Sequence, residues 1–171
     1  NPNDLADDTR FEKRPYLAGK QVVNLALGDL NGDGRTDMAY YGDPPELVVV
    51  YQSPKGEWGE KKSFDISDGS QHPHTMLIAD FNGDKRLDIC LLGKDSTYFI
   101  YQDAKGVLEK PVKHPGVPEG VFALVAGDFN GDGRLDLLYA AGNEDEPFSV
   151  RLQDNRGRMS PNVPLKVAQI R

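Results

Sequence analysis

The chain has 171 residues, of which 38% are hydrophobic and 27% are charged, and its formal net charge is −7. This composition is typical of a globular protein and excludes a collagen-like or disordered chain, and the acidic balance argues against nucleic-acid binding. No run of about 18 apolar residues occurs, so we expect no membrane span. The single cysteine, Cys90, excludes an internal disulfide framework.

One acidic segment recurs three times along the chain, at residues 26–41, 77–92 and 125–140. The first aspartates of the three copies are spaced 51 and 48 residues apart, at Asp29, Asp80 and Asp128. A repeat of this length, rich in glycine and proline and without helical periodicity, indicates units of four short strands. Such units are typical of β-propeller blades, and a sandwich or a solenoid explains the repeated loop less well.

The repeats divide the chain into a leading segment and three predicted blades. The leading segment, 1–20, contains the outer strand of a preceding blade, and the blades are 21–70, 71–119 and 120–171. In each blade a first apolar strand (22–28, 74–79, 121–127) precedes the acidic loop, and a second strand (37–41, 88–92, 136–140) follows it. An alternating third strand, a glycine turn and a more polar fourth strand complete the unit. The predicted fold is therefore all-β, with three four-stranded antiparallel sheets plus the leading outer strand.

The acidic loops are the strongest candidate site, because each places oxygen-bearing side chains at positions 1, 3, 5 and 9. These residues are Asp29, Asn31, Asp33 and Asp37; Asp80, Asn82, Asp84 and Asp88; and Asp128, Asn130, Asp132 and Asp136. A set of hard oxygen donors without His or Cys favours Ca²⁺ over zinc or copper. We therefore expect up to three calcium ions.

Positions 6 and 7 of each loop have separate roles in this interpretation. Position 7 (Arg35, Arg86, Arg134) would offer its backbone carbonyl to the ion, which leaves its side chain free to face water. Position 6 lies in a sharp turn that favours a positive φ, and it is glycine in the first and third loops. Lys85 occupies it in the second loop, so we expect that loop to be the most strained and its calcium site the weakest.

Two other interpretations of the loops fit less well. An EF-hand needs an acidic residue at position 12, but Tyr40, Leu91 and Tyr139 stand there. Asp- and Asn-rich turns also form without metal. Three such loops in register, each with carboxylates that repel one another, favour a bound cation over that alternative.

The Asp-x-Asn-x-Asp-Gly-x-x-Asp loops within four-stranded units resemble the FG-GAP/VCBS repeats of integrin-α-type β-propellers. The resemblance extends over about residues 11–168. It implies calcium loops on one face of a propeller and ligand contacts on the opposite face, at loops 42–46, 67–74, 93–96, 114–120 and 142–147. Propellers of this family generally have about seven blades, so the three found here imply either an excerpt of a longer chain or a ring completed by separate chains.

No nucleophile–base pair, phosphate-binding loop or pair of catalytic carboxylates is recognisable outside the calcium loops, so we expect no enzymatic activity. His72 and His74 are interpreted as residues of a surface loop, and Cys90 as a buried hydrophobic residue. The predicted function is a calcium-binding module for extracellular protein binding or adhesion. The alternative is a carbohydrate-binding propeller, or the scaffold part of a secreted polysaccharide-acting enzyme. Calcium dependence favours an extracellular or cell-surface location, with a protein or glycan ligand.

Overall fold

The computed structural model describes residues 21–142 and 147–165, which form twelve strands and the loops between them. The predicted leading strand within 1–20 lies outside the described residues, as do 143–146 and 166–171. In the first sheet the strands are β1 (Gln21–Gly28), β2 (Asp37–Asp43), β3 (Glu46–Gln52) and β4 (Trp58–Asp65). In the second they are β5 (Met76–Ala79), β6 (Asp88–Leu92), β7 (Ser96–Ile100) and β8 (Val112–Pro115). In the third they are β9 (Val121–Gly127), β10 (Asp136–Ala141), β11 (Phe148–Arg151) and β12 (Val163–Leu165).

Each sheet is antiparallel, with its four strands side by side in chain order. The all-β prediction of three four-stranded sheets is therefore confirmed. The strands β1 and β5 contact each other, and so do β5 and β9, so consecutive sheets stack through their first strands. The sheets do not close into a ring within the described residues, and none of those residues forms a helix that could cross a membrane.

The core consists of two apolar layers, each between consecutive sheets. The first layer joins one face of the first sheet, including Ala39 and Tyr41, to Ile89 and Leu91 of the second. The second joins Cys90 and Leu92, which point the other way along β6, to the third sheet. Because β6 is covered on both faces, all five of its residues are buried. This explains the continuous apolar run in its sequence.

Cys90 is fully buried in the second layer, and burial raises the pKa of its thiol well above the usual value. The thiol therefore stays protonated and packs as a small hydrophobic group, as the sequence predicted.

Hydrogen bonds through the segment before β5 add to the contact between sheets. The Asn24 side chain donates to the carbonyl of His72 at 3.0 Å and accepts the backbone N–H of Thr75 at 3.1 Å. On the other side, Leu124 N donates to the carbonyl of His74 at 3.1 Å. Both histidine residues are exposed, as expected for a surface loop. Their backbone carbonyls, rather than their imidazoles, connect the three sheets.

Candidate metal centre in the acidic loops

The three acidic loops occupy equivalent places in the three sheets. Acidic loop 1 (29–37), acidic loop 2 (80–88) and acidic loop 3 (128–136) each join the first strand of a sheet to the second. In an antiparallel sheet the connection between the third and fourth strands returns to the same end. The glycine turns of the blades therefore lie at the end of the fold that carries the acidic loops.

The first aspartate of each loop organises the turn around its own carboxylate. In acidic loop 1, Asp29 Oδ1 accepts the backbone N–H of Gly32 at 2.7 Å and of Asp33 at 3.2 Å, and its Oδ2 accepts that of Gly34 at 2.8 Å. Asp80 and Asp128 make the same contacts in the other loops. In acidic loop 3, the backbone N–H of Gly133 is the main cause of a lowered pKa at Asp128. These donors favour the ionised form of a carboxylate.

Positions 3 and 5 are joined by a reciprocal pair of hydrogen bonds. Asn31 Nδ2 donates to Asp33 Oδ2 at 2.8 Å, and Asp33 N donates to Asn31 Oδ1 at 3.1 Å. The same pair is present in acidic loops 2 and 3. Positions 3 and 5 are thus tied to each other, and the backbone N–H of position 5 also binds the carboxylate of position 1.

The ninth residue of each loop is a fully buried aspartate that binds two backbone N–H groups. Asp88 Oδ2 accepts the N–H of Phe81 at 3.0 Å, and its Oδ1 accepts that of Gln102 at 2.8 Å. Asp37 and Asp136 bind the corresponding N–H groups in their own sheets at 2.8–2.9 Å. This aspartate therefore ties the start of the acidic loop to the end of the third strand.

Burial is the main cause of the raised pKa of Asp88 and of Asp37. Burial raises the pKa of Asp88 to about 6, although hydrogen bonds from Gln102 and Phe81 oppose it, and the negative charges of Asp84 and Asp80 raise it further. The pKa of Asp37 is raised for the same reasons, with Asp33 and Asp29 as the repelling charges. Positions 1 and 5 of a loop are therefore close enough to position 9 for their charges to repel.

The arginine at position 7 is not free, so the expectation that its side chain faces water is wrong. Arg86 Nε donates to the backbone carbonyl of Gln102 at 3.0 Å, and its guanidinium forms an ion pair with Asp84. Arg35 and Arg134 repeat both contacts, with Asp33 and Asp132 as the paired carboxylates. A planar guanidinium can bind a carboxylate and a carbonyl at once. This arginine supplies a positive charge to the fifth position of every loop.

The backbone at position 6 has the expected left-handed conformation in all three loops. Gly34 and Gly133 have φ angles of 80° and 81°, and Lys85 has a φ of 70°. A side chain in this region costs about 1–2 kcal/mol because its Cβ approaches the following carbonyl. Acidic loop 2 therefore contains the predicted backbone strain.

The donor chemistry of the loops fits Ca²⁺, although their side chains are not gathered into a preassembled cage. Within 21–142 and 147–165, no group of three or more His, Cys, Asp or Glu side chains is placed to hold a metal. The loop carboxylates instead bind backbone N–H groups and arginine, but each carboxylate has about four lone-pair sites, so capacity for a cation remains. All the donors are oxygens, and the carboxylates of one loop repel each other. We therefore retain the fifteen predicted positions as calcium candidates, with the carbonyl as the donor at position 7.

A glutamine stands at or just after the end of each third strand, at Gln52, Gln102 and Gln153, and sequence reasoning missed its role. Gln102 Nε2 donates to the carbonyl of Asp29 at 3.0 Å, and Gln153 Nε2 donates to the carbonyl of Phe81 at 2.5 Å. Each of these two glutamines thus reaches from its own sheet to the acidic loop of the preceding sheet. The recurrence of the glutamine at spacings of 50 and 51 residues was the available signal.

The glycine four residues after this glutamine explains how closely the sheets approach. A Cβ on Gly106 would lie 1.9 Å from the carbonyl oxygen of Asn31, and one on Gly157 would lie 2.6 Å from that of Asn82. The second and third glycine turns therefore pack directly on the acidic loop of the preceding sheet. The candidate metal loops are at the same time part of the contact between blades.

Two cavities lie near opposite ends of the sheets. One, of about 530 Å³, is bordered by Asp84 and Arg86 of acidic loop 2 and by Gly157 and Arg158 of the next turn. The other, of about 280 Å³, is lined by residues of the predicted ligand loops 67–74, 93–96 and 114–120. The structure thus brings these three loops together.

A polar cluster orders the edge of the smaller cavity. The hydroxyl of Tyr98 donates to Asp68 Oδ1 at 2.5 Å, and Lys113 Nζ pairs with Asp68 Oδ2 at 2.8 Å. Burial opposes the ionisation of Asp68, but the hydrogen bonds from Lys113 and Tyr98 outweigh it and lower the pKa of this carboxyl. This part of the cavity is therefore held in one arrangement by charged side chains.

The part of the sequence that contains the three acidic loops matches a known family. The model of the FG-GAP-like repeat matches residues 29–91 and 80–139, which together cover more than half of the chain. The chain therefore belongs to the FG-GAP-like repeat family. None of the curated proteins compared with it matches.

We predict that Asp88→Ala destabilises the fold even without metal. The substitution leaves the buried N–H groups of Phe81 and Gln102 without an acceptor, at about 1–3 kcal/mol each. Urea unfolding in the presence of a chelator should therefore show a free energy of unfolding lower by several kcal/mol.

A matched control for this variant is Asp103→Ala. Asp103 also accepts two backbone N–H groups, both at 2.8 Å, but it is not buried. Water can replace its carboxylate, so the free energy of unfolding should fall far less than in Asp88→Ala. Equal losses in the two variants would contradict the role assigned to the buried aspartate.

We further predict that Lys85→Gly stabilises the protein by up to about 1 kcal/mol, because glycine adopts a positive φ without strain. Thermal unfolding would measure this gain. Lys85→Ala removes the same charged side chain but keeps the strain, so it should give no gain. A similar rise in the melting temperature for both variants would show that charge, not backbone conformation, is responsible.

Proposed function

We propose that this chain is a non-enzymatic calcium-binding propeller module in which calcium is a structural clamp. The observation that carries the proposal is the repetition of one oxygen-rich loop at the same end of three sheets. Acidic loops 1 and 2 each pack against the next sheet through a glutamine and a glycine turn. An ion that orders the loop would therefore stabilise the contact between blades.

Acidic loop 2 illustrates which residues would hold the ion. Asp80, Asn82, Asp84 and Asp88 offer side-chain oxygens, and Arg86 offers its carbonyl. Bound calcium supplies two positive charges to carboxylates that otherwise repel each other. The guanidinium of Arg86 offsets part of the charge on Asp84. Asp88 would take part through the lone pairs that its two backbone hydrogen bonds leave available.

The affinity expected for such sites suggests where the module works. Calcium sites of extracellular modules bind with Kd values of about 10⁻⁴–10⁻³ M. At roughly millimolar free calcium, linkage gives about 0.4–1.4 kcal/mol for each site. The same sites would be largely empty in a calcium-poor cytosol. We therefore propose an extracellular or cell-surface location.

We propose protein binding or adhesion at the end of the sheets opposite the acidic loops. The cavity of about 280 Å³ there is lined by glycines and by polar side chains, among them Asp68, His72 and Lys94. Recognition of sugars commonly uses aromatic faces, but none of the residues lining this cavity is Phe, Tyr or Trp. This observation favours a protein partner over a glycan.

The calcium proposal predicts a titration with three sites. Isothermal titration calorimetry of the chelator-treated chain should show about three calcium ions bound, and chelation should lower the melting temperature. The combined stabilisation should be about 1–4 kcal/mol at roughly millimolar calcium. An unchanged melting curve in EDTA together with no heat of calcium binding would refute the proposal.

Two matched variants test whether the acidic loops are the binding sites. Asp84→Asn removes one carboxylate from acidic loop 2 and should lower the number of bound ions by one. Asp65→Asn removes the same charge from an exposed position on β4 and should leave the stoichiometry unchanged. Equal effects of the two variants would mean that net charge, rather than the loop, governs the binding.

The choice of a protein partner predicts a negative result on a glycan array. The chain should bind no immobilised glycan above background, in the presence of calcium or of EDTA. Calcium-dependent binding to one glycan class would instead support the carbohydrate-binding alternative, and His72→Ala would then test whether the cavity is involved.

A further inference from the structure

The two contacts between sheets are built from the same parts, and those parts are exposed at the two ends of the described array. In each contact the acidic loop and one face of a sheet meet the first strand and the glycine turn of the next sheet. We define the tail as acidic loop 3 together with Val125 of β9. The head is β1 together with the turn 53–57.

The tail exposes residues whose counterparts are buried. Position 2 of acidic loops 1 and 2 is Leu30 and Phe81, and both are fully buried. The equivalent Phe129 in acidic loop 3 is 46% exposed. Val125, whose counterpart Ala26 packs in the first core layer, is 51% exposed. The tail therefore has the apolar surface of an internal contact without a partner among the described residues.

The head exposes the complementary residues. Met76 and Leu124 occupy equivalent positions in the first strands of the second and third sheets and are 5% and 3% exposed. The equivalent residue on β1, Leu25, is 58% exposed, and its neighbour on the same face, Leu27, is 57% exposed. The head therefore exposes the face of β1 that, in the second and third sheets, is buried against the preceding sheet.

The glycine turn of the head is also open. Gln52 binds Asp37 and Arg35 through its backbone, as its counterparts do, but no acidic loop precedes it in the described chain. No heavy atom of the described residues lies within 4 Å of where a Cβ on Gly56 would stand. The exposed Lys55 beside it suits an acidic loop electrostatically. All the groups needed to dock on the tail are thus present.

We propose that the head of one chain docks on the tail of a second copy. Phe129 would pack against Leu25 and Leu27, and the Gln52 side chain would donate to a backbone carbonyl at the start of acidic loop 3. The proposal extends the two existing contacts between sheets by a third of the same kind. Propellers typically have 4–8 blades. The three described sheets of two copies give six, so two copies would close a ring with two identical contacts.

The outer part of the first sheet limits the area of this contact. Tyr40, Val48 and Val50 lie on the same face as Leu25 and Leu27 but are already buried. The contact between copies is therefore confined to β1, the turn 53–57, β9 and acidic loop 3. An area restricted in this way suggests a dimer that dissociates on dilution.

Sedimentation velocity of the 171-residue chain in calcium, across the micromolar range, tests this proposal. At the highest concentrations the mass should approach twice 18.9 kDa. Phe129→Glu damages only the tail and Leu27→Glu damages only the head, so each variant alone should be monomeric. A mixture of the two retains one intact head–tail contact and should again form a species of two chains.

Controls separate docking from misfolding. Val112→Glu places the same charge at a 42% exposed position on β8, away from both ends, and should associate like the unaltered chain. Circular dichroism should show the same β signal for all variants, and Phe129→Ser and Leu27→Ser replace any variant that does not fold. A chain that stays at 18.9 kDa throughout would overturn the proposal. A dimer that needs Phe129 but not Leu27 would also overturn it, because that result indicates pairing of tail with tail. A mixture of Phe129→Glu and Leu27→Glu that remains monomeric would overturn it as well.

Discussion

The buried aspartate at position 9 of each acidic loop is the constraint on which the rest of this fold depends. A carboxylate in an apolar interior is costly unless its charge is compensated by hydrogen bonds. Asp88 meets this requirement by accepting the N–H groups of Phe81 and Gln102, which lie at the start of the loop and just after the end of β7. The same carboxylate therefore fixes the loop, the second strand and the third strand relative to one another.

From this aspartate the hydrogen bonds continue to the neighbouring sheet through a single glutamine. Gln102 donates its backbone N–H to Asp88, accepts Arg86 Nε at its carbonyl, and donates its side-chain amide to the carbonyl of Asp29. Gln153 makes the equivalent bonds toward acidic loop 2. The candidate calcium loops and the stacking of the blades thus belong to one network. A change of charge in one loop would act on the contact with the following sheet.

Most of the fold could be predicted from the sequence because each repeat encodes its own sheet. The predicted first strand of the third blade, 121–127, and the second strand of the second blade, 88–92, agree with β9 and β6. In those two segments the length of the apolar run and the glycine or aspartate beside it indicate where the strand begins and ends. The first strand of the second blade begins two residues later than predicted, at Met76, because His74 has a φ of 65° that interrupts an extended strand.

The candidate site was predicted less completely, because spacing along one chain does not show which groups meet across a loop, between paired strands or between sheets. The oxygen-bearing positions of the loops follow from their period, but the arginine at position 7 was wrongly expected to face water. Its partners, Asp84 and the carbonyl of Gln102, are brought to Arg86 by the pairing of strands and by the turn. The docking of Gly106 against Asn31 depends on the stacking of two blades, which a local pattern cannot specify.

Amide hydrogen exchange measured by NMR in calcium-free buffer tests the central role of the buried aspartate most directly. The N–H groups of Phe81 and Gln102 should exchange only through global unfolding, at the rate of the β6 amides, while that of Gly83 in the exposed turn should exchange much faster. Exchange of Phe81 and Gln102 as rapid as that of Gly83 would contradict the account, because it would mean that the Asp88 carboxylate does not hold the loop to the third strand.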